Sequence, residues 1–260
     1  MEISQLSSIS AYIGSLRNLV QGPGGNTSIK IGNKLFVKAS GTRLADALSQ
    51  EFFCQIDLTT GEVLTPKLRP SVEVGLHREI NMPVVFHVHS IGSLAWALRE
   101  RSPEEDVFLD QLKIHRAPYL RPGDAIARYL SELVKVESYD GVLLQNHGLI
   151  TWADTTNEAL NKLLRLESEL HTGGSLSVSP NIPTHNFSSI PAGTSLTPDH
   201  AVFSDDADIL KSDTNSEVLW ALEQALSIIP LSSGVTSIAR EEAEQLRNWE
   251  AEKFRKQLNT

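Results

Sequence analysis

The spacing of apolar residues predicts one mixed α/β body that runs to about residue 171 and is followed by a tail. Short apolar or alternating runs between turn residues predict strands at 28–31, 35–39, 52–58, 83–88, 139–145 and 149–152. Apolar residues at helical spacing predict helices at 1–20, 71–81, 90–99, 124–136, 155–171, 217–227 and 239–257.

The pattern breaks between residues 172 and 199, which are rich in Ser, Thr, Pro and Gly and lack a periodic apolar segment. Helical spacing returns after residue 200. We therefore predict three parts: a first domain at 1–171, a linker or arm at 172–199, and a partly helical extension of the same domain at 200–260.

The composition is that of an ordinary globular protein, with 40% hydrophobic and 21% charged residues among 260. A formal charge of −9 repels phosphate backbones and anionic lipids, which argues against nucleic-acid and membrane partners. A single cysteine, Cys54, excludes an internal disulfide. No apolar run reaches the ~18–20 residues of a membrane span, and the N-terminus lacks the basic and apolar regions of a signal peptide. We therefore expect a cytoplasmic protein.

Three histidines lie where predicted strands end. His87 and His89 are two residues apart, so on an extended chain their side chains leave the same face. His147 lies in the tight turn Asn146-His147-Gly148 after another apolar strand. Catalytic zinc sites commonly use three protein ligands and leave one position open. The pattern thus suggests a metal site, the alternative being a half-buried strand with hydrogen-bonded histidines.

Glu73 supplies a candidate carboxylate for such a site. It falls in the first turn of the helix predicted at 71–81, where the helix N-terminus stabilises an ionised carboxylate. The alternative interpretation is an ordinary capping role, since Glu is common at this helix position. His77, one turn further along, is interpreted as a surface histidine or one satisfied within the fold.

The segment Gly24-Gly25-Asn26-Thr27-Ser28 supplies backbone and side-chain donors of the kind that hold a phosphate or a sugar oxyanion. The turn Ser40-Gly41-Thr42 and the hydroxyl of Ser71 are candidates to join the same pocket. No Gly-Lys-Ser/Thr follows the glycines, so this is not a Walker loop. The chain also lacks a Gly-x-Ser-x-Gly elbow, which gives nucleophilic serine catalysis little support.

Five segments in this order resemble the class II aldolase/adducin family over roughly residues 8–171. They are Gly25-Asn26-Thr27-Ser28, Val37-Lys38-Ala39-Ser40-Gly41-Thr42, Pro70-Ser71-Val72-Glu73 with His77, His87-Val88-His89 and Asn146-His147-Gly148. The resemblance implies a three-layer αβα domain with a central, mainly antiparallel sheet. The tail segment 196–203 is similar to one in the aldolase halves of fused aldolase–dehydrogenase proteins.

The resemblance also implies roles for individual residues. Three positions match the family's zinc ligands: His87, His89 and His147. Glu73 matches the glutamate that serves aldolases as a metal ligand and proton-shuttling base. Four positions match the family's phosphate cradle: Asn26, Ser40, Gly41 and Ser71. Tyr119 falls near a tyrosine that fuculose-phosphate aldolases use as a proton donor across a subunit interface. Family members are usually tetramers, so we expect a homo-oligomer.

These roles predict a metal-dependent aldolase that cleaves or forms a C–C bond of a ketose or phosphoketose through a metal-stabilised enediolate. Zinc (Zn2+) is the implied ion, although histidines and a carboxylate also accept Mn2+ and Fe2+. The predicted partner is a small sugar or sugar phosphate. The alternatives are a sugar-phosphate dehydratase or epimerase of the same family, and a non-catalytic, adducin-like scaffold. Glu73 argues against the epimerases, which usually carry Asp there.

One departure concerns the phosphate. Phosphate-using aldolases usually show two consecutive serines before the glutamate, whereas this chain has Ser71-Val72. One expected donor is therefore missing, and Lys38 and Arg69 are the candidates to replace it.

Overall fold

The protein is built on a sheet whose strands are nearly all antiparallel. The computed structural model describes residues 3–49, 52–133, 138–173, 190, 193–204, 213–230 and 232–259. Within these ranges the strands are β1 (Asn26–Ile31), β2 (Lys34–Lys38), β3 (Phe53–Asp57), β4 (Val84–Val88), β5 (Ile114–Ala117), β6 (Gly141–Leu144) and β7 (Gly148–Ala153). They form one sheet in the order β3-β2-β1-β4-β7-β6-β5, in which only β5 and β6 pair in parallel.

Helices cover both faces of the sheet. In the described ranges they are α1 (Ile3–Ser15), α2 (Val74–Glu79), α3 (Ile91–Ala97), α4 (Pro103–Gln111), α5 (Asp124–Glu132), α6 (Thr156–Thr172), α7 (Pro198–Phe203), α8 (Asp213–Ile228), α9 (Arg240–Asn248) and α10 (Glu250–Gln257). One apolar core joins α1 and α6 to the sheet, and a second joins α2 and α5 to the opposite face. The mixed α/β fold with helices on both faces of the sheet confirms the predicted fold class.

The central strand β4 shows how the two faces are assigned. Successive side chains of a strand leave opposite faces. Val84, Phe86 and Val88 pack in the core with α1 and α6, whereas Val85 packs in the core with α2 and α5. His87 alternates with Val85, so the strand directs it towards the α2 side of the sheet.

The C-terminal helices pack against the first part of the chain. Helix α8 forms an apolar cluster with α3, in which Leu222 and Ala225 accompany Ile91 and Leu94. Short bridges pair Ser195 with Ile238 and Arg99 with Val235. No described helix has the length and apolar character needed to cross a membrane.

The structure differs from the predicted elements at several places. Helix α2 begins only at Val74, because the hydroxyl of Ser71 accepts hydrogen bonds from the Glu73 backbone N–H and Asn26 Nδ2, at 3.3 Å each. The helix predicted at 239–257 is two helices, since Trp249 is extended (φ −68°, ψ 129°). The apolar spacing in helix α4 and strand β5 is too weak to predict either element. The end of the helix predicted at 124–136 and most of the linker predicted at 172–199 lie outside the described residues.

Candidate metal centre

Four buried side chains converge at one end of the sheet: Glu73, His87, His89 and His147. One ligand atom from each lies within 4.8 Å of those from the others. The Nε2 atom of His87 is 3.1 Å from that of His89 and 3.4 Å from that of His147. The Glu73 carboxylate completes the group, 3.5 Å from His87 Nε2 and 3.4 Å from His147 Nε2.

The turn between β6 and β7 brings His147 to the end of β4. Asn146 takes a left-handed conformation (φ 55°), which Asn tolerates better than most residues. A Cβ atom on Gly148 would lie 2.3 Å from the Val88 carbonyl oxygen, so only glycine permits this close approach. The turn therefore packs directly on the segment that carries His87 and His89.

A chain of hydrogen bonds orients Glu73 from the neighbouring strand β1. Asn26 pairs with His87 in the β1–β4 ladder, and its Nδ2 donates to Glu73 Oε2 at 2.8 Å. The Asn26 oxygen therefore accepts from His77 Nε2, whose other nitrogen accepts from the Ser28 hydroxyl at 2.7 Å. His77 is thus buried and satisfied within the fold, one of the two interpretations from its sequence position.

The electrostatics keep the Glu73 carboxylate charged and the His87 and His147 imidazoles neutral. Burial alone would raise the pKa of Glu73, but His87, His147 and the Asn26 hydrogen bond outweigh it and lower the pKa to about 2. Burial lowers the pKa of His147 to about 3 and also lowers that of His87, against the opposing effect of Glu73. An ionised carboxylate and neutral imidazoles are the forms that bind metal ions.

Two observations show that these residues fit a divalent metal ion. Ligand atoms held at roughly 2.0–2.1 Å around a tetrahedral centre lie about 3.3 Å apart, which matches the distances from His87 Nε2 to the Nε2 atoms of His89 and His147. Glu73 Oε1 is buried, faces these nitrogens and makes no hydrogen bond. Such a convergence of lone pairs is repulsive unless a cation or protons lie among them.

His89 is held by a carboxylate from the C-terminal part of the chain. Its Nδ1 lies 2.7 Å from Asp199 Oδ2, and both side chains are buried. The other oxygen of Asp199 accepts a hydrogen bond from Arg255 Nη2, and Arg255 Nε lies 2.9 Å from Glu252 Oε2. Burial alone would raise the pKa of Asp199, but Arg255 and His89 outweigh it and hold the pKa well below its usual range.

The residues expected to cradle a phosphate lie beside the cluster. Asn26 Nδ2 reaches the Ser71 hydroxyl as well as Glu73, and the backbone N–H of Ser40 donates to Arg69 O at 2.8 Å. The loop that holds Ser40 and Gly41 therefore runs alongside the loop that holds Ser71. Gly41 is in the left-handed region at φ 81°. Its carbonyl accepts a hydrogen bond from Asn259 Nδ2 at 2.9 Å, so the C-terminal residues contact this loop.

Comparison with known proteins identifies the family. The sequence model described as Class II Aldolase and Adducin N-terminal domain matches residues 5–179. This chain belongs to that family. A solved structure, the N-terminal class II aldolase domain of a conserved protein from Thermoplasma acidophilum, is 26% identical with a TM-score of 0.60, and the match covers 66% of this chain and 93% of that one.

Two relatives of this class II aldolase family member are named as a phosphate aldolase and a dehydratase. L-Fuculose phosphate aldolase of Methanococcus vannielii is 32% identical over 161 residues, which cover 58% of this chain and 84% of the relative. Methylthioribulose-1-phosphate dehydratase of Pectobacterium atrosepticum is 26% identical over 164 residues, covering 55% and 80%.

The two candidates to replace the missing phosphate donor of the aldolase family are engaged within the protein. Lys38 Nζ donates to the carbonyls of Pro23 at 2.8 Å and Thr42 at 2.7 Å. Burial, with a contribution from Arg255, lowers the pKa of Lys38 to about 7. The Arg69 guanidinium lies over the Phe254 ring, 4.3 Å from its centroid.

The Tyr119 hydroxyl bonds to helix α9 and not to any of the four converging residues. It donates to Glu242 Oε1 at 3.2 Å, and the Tyr119 ring packs against the cluster that holds Phe203 and Leu246. Burial and Glu242 raise the pKa of its hydroxyl well above the usual value. Its role as a proton donor across a subunit interface stays a prediction.

Asp199 and Arg255 are the residues that the sequence patterns did not assign to the site. Asp199 is separated from His89 by 110 positions, so no local spacing connects the two. The sequence feature that could have pointed to Asp199 is the similarity of the segment 196–203 to a segment in fused aldolase–dehydrogenase proteins. That similarity assigns no role to any of its residues.

Proposed function

We propose that this protein is a metal-dependent aldehyde-lyase that cleaves or forms a C–C bond of a sugar or sugar phosphate. The observation that carries the proposal is the buried convergence of Glu73 with three histidine Nε2 atoms in a member of the class II aldolase family. The L-fuculose phosphate aldolases among its relatives favour a ketose 1-phosphate as the substrate class.

The three histidines would hold the metal ion, and Glu73 would be a further ligand until it acts as the base. A bound divalent ion supplies a Lewis acid that polarises a carbonyl and stabilises negative charge on adjacent oxygens. Zinc, manganese and iron all suit this donor set.

Glu73 is the proposed base. Asn26 fixes its Oε2 through a 2.8 Å hydrogen bond and leaves Oε1 without a partner. A carboxylate with a pKa of about 2 is ionised at neutral pH, so Oε1 is ready to accept a proton from the carbon that becomes the nucleophile. In the cleavage direction Oε1 must first receive the proton of the substrate hydroxyl that becomes the aldehyde, and it then delivers that proton to the carbon as the C–C bond breaks.

The phosphate of the substrate is proposed to bind at the loops beside Glu73. Ser71 offers a hydroxyl, and the neighbouring loop adds the Ser40 hydroxyl and the Gly41 backbone. Asn26 Nδ2 donates to Glu73 and Ser71, so it would contact the phosphate by turning one hydrogen away from Ser71. Val72 offers no hydroxyl, and Lys38 already donates to two carbonyls. We therefore expect weaker phosphate recognition than in a relative with both serines.

A dehydratase of a phosphorylated pentulose is the second candidate. The similarity to methylthioribulose-1-phosphate dehydratase favours it. Both reactions begin with a polarised carbonyl and a proton on the neighbouring carbon, so the same residues serve either. Analysis of the products separates the two candidates, because only the aldolase breaks a C–C bond.

The test is a product screen with metal-loaded protein. Fuculose 1-phosphate, rhamnulose 1-phosphate and methylthioribulose 1-phosphate are incubated with protein loaded with Zn2+, Mn2+ or Fe2+, and with metal-stripped protein as the control. Phosphorus and proton NMR should show dihydroxyacetone phosphate and an aldehyde from at least one ketose phosphate. Loss of water without C–C cleavage would establish the second candidate. An inert, fully loaded protein would contradict both and support the scaffold alternative.

The predicted tetramer and the predicted cytoplasmic location belong to the same proposal. The resemblance to the aldolases supports the tetramer, and light scattering of the purified protein at several concentrations checks it. A monomer that turns over substrate would contradict the proposed role of Tyr119, because that role needs a second subunit.

A further inference from the structure

The buried pair of Asp199 and His89 suggests that the metal centre extends beyond its four converging residues. His89 has one nitrogen, Nε2, in the cluster and the other, Nδ1, 2.7 Å from Asp199 Oδ2. Because a carboxylate accepts, Nδ1 carries the proton and Nε2 is left with its lone pair towards the cluster. A carboxylate behind a ligating histidine fixes its tautomer and ring orientation and raises its basicity.

We propose that Asp199 is a positioning residue of the metal centre, which holds the His89 ring with Nε2 facing the metal. The proposal rests on the metal site of the proposed function. It assigns a role in that site to the segment C-terminal to the matched family domain.

The loop before β1 is shaped around this pair. A Cβ atom on Gly24 would lie 2.7 Å from Asp199 Oδ2 and 2.9 Å from His89 Nδ1. Glycine is therefore the residue that leaves room for the carboxylate and the imidazole to meet. The loop before β1 therefore packs directly against the Asp199–His89 pair.

Helix α10 holds Asp199 in place. Arg255 donates to Asp199 Oδ1, lies beside Glu252, and has its guanidinium carbon 5.1 Å from the centroid of the Phe203 ring. A buried carboxylate needs such a partner, because an unpaired charge in the interior is strongly destabilising. With Oδ1 held by Arg255, Oδ2 is directed at His89.

A second contact ties the same C-terminal segment to the third histidine. Asn146, next to His147, donates from Nδ2 to the carbonyls of Leu196 at 2.9 Å and Thr236 at 3.0 Å. His87 differs from His89, since its Nδ1 is held within the sheet by the Leu149 carbonyl at 3.1 Å. The C-terminal segment therefore supports two of the three histidines.

The competing explanation is that the ion pair only fastens α10 to the domain. Measurements of metal binding distinguish the two, because a purely structural pair changes stability and leaves the affinity for metal unchanged. Asp199→Asn removes the charge with little change of shape. Asp140→Asn is a matched control, since Asp140 is also ion-paired, to Lys162 and Arg165, on the outside of the domain.

The experiment measures zinc affinity by competition with a chromophoric chelator, and the visible absorption spectrum of the Co2+-loaded protein. We expect D199N to bind zinc about 10–100-fold more weakly than the wild type and to show altered cobalt bands, whereas D140N matches the wild type. Equal zinc affinity and identical cobalt spectra in D199N and the wild type would overturn the proposal. A wild type that binds neither ion would overturn the metal centre itself.

A measurement on the wild type covers the case in which D199N does not fold. Nitrogen-15 NMR of the histidine side chains, with and without Zn2+, reports which nitrogen of His89 carries the proton. We expect a proton on Nδ1, in slow exchange with solvent, and a metal-induced shift on Nε2. A proton on Nε2 in the metal-free protein, or metal bound through Nδ1, would overturn the proposal.

Discussion

At the scale of single residues, the site depends on which atom of each polar side chain faces its neighbours. Asn26 holds one oxygen of Glu73, and backbone or carboxylate groups hold the Nδ1 atoms of His87 and His89. The remaining atoms point at one another. In Glu73, His87 and His89, one atom is held by a neighbour and the other is left to act in the site, and the proposed roles follow from that.

Glu73→Gln tests the role of the proposed base. The amide keeps the shape and the partner Asn26, but it cannot accept a proton at neutral pH. We expect kcat to fall by about 10²–10⁴-fold in steady-state assays of the metal-loaded protein, with the circular dichroism spectrum unchanged. Glu79→Gln, at the exposed end of α2, is the control and should match the wild type. Equal kcat in E73Q would remove the assignment of Glu73 as the base.

Glu167 makes stability depend on pH. Burial raises its pKa from 4.5 to about 7, although the Gly92 backbone N–H donates to Oε1 at 2.9 Å. Because the pKa is higher in the folded state, the stabilisation is complete below pH ~4.5 and is lost as the pH rises through about 7. Glu167→Gln is neutral throughout and keeps the acceptor. We expect the unfolding free energy of E167Q to gain about 2–3 kcal/mol on the wild type between pH 5 and pH 8.

Urea unfolding at the two pH values measures this gain. The control is Glu169→Gln, because Glu169 is on the same helix and its side chain is only partly buried. A difference between E167Q and the wild type that does not change with pH would show that Glu167 titrates normally in the folded protein.

The sequence predicted the residues of the site better than their partners. The i, i+2 spacing of His87 and His89 on an apolar strand predicts one face, and the structure has that arrangement. The Asp199–His89 contact depends on where the C-terminal helices pack, and no periodicity records that. Lys38 is a similar case. Its position next to the predicted phosphate cradle suggests a phosphate ligand, whereas in the structure its amine donates to two backbone carbonyls.

At the scale of elements, predictions from the sequence succeeded where the local signals were strong. The hairpin around Gly32-Asn33 and the helix after Thr155 both form. Helix α2 starts later than its pattern suggests because the Ser71 hydroxyl bonds Asn26 and the Glu73 N–H. Strand β5 contains His115 and Arg116, so its apolar pattern is interrupted. Packing against β6, not local preference, makes it a strand.

The capping box of α6 gives a prediction at this scale. The Thr155 hydroxyl accepts from the Glu158 N–H, and the Glu158 carboxylate accepts from the Thr155 N–H, at 3.2 Å each. Thr155→Ala leaves the Glu158 N–H without its side-chain acceptor, whereas the N–H of residue 155 can still donate to Glu158, so we expect a loss of about 1 kcal/mol in the free energy of unfolding. Thr155→Ser keeps the hydroxyl and should retain most of the free energy of unfolding, as measured by urea titration. A T155A protein as stable as T155S would contradict the cap.

Helix α10 gives a second prediction, because Arg255 is buried against two carboxylates. Arg255→Met leaves Glu252 without its cation and Asp199 with His89 but no cation, so we expect a loss of about 3–5 kcal/mol in the free energy of unfolding. The control is Arg240→Met, which breaks an exposed pair with Glu244 on α9 and should cost less than about 0.5 kcal/mol. Chemical denaturation measures both. Similar losses in the two variants would show that Arg255 is no more important than a surface arginine.

At the scale of the whole molecule, the C-terminal helices reach the site formed by the first part of the chain. The matched family domain at 5–179 supplies the four converging residues, whereas Asp199 and Arg255 come from the helices that follow. The C-terminal end also reaches the loop that holds Gly41 through Leu258 and Asn259. The family resemblance could predict the domain and its ligands, but it covers too little of the C-terminal part to predict these contacts.

The metal content of the purified protein tests the central claim most directly. Wild-type protein, His89→Ala and the control His171→Ala, a histidine near the end of α6, are incubated with Zn2+, dialysed and analysed by atomic emission. The wild type and H171A should each retain about one ion per chain, and H89A almost none, because a ligand is lost. Equal zinc in H89A and the wild type, or none in any of the three, would contradict a metal centre at these residues.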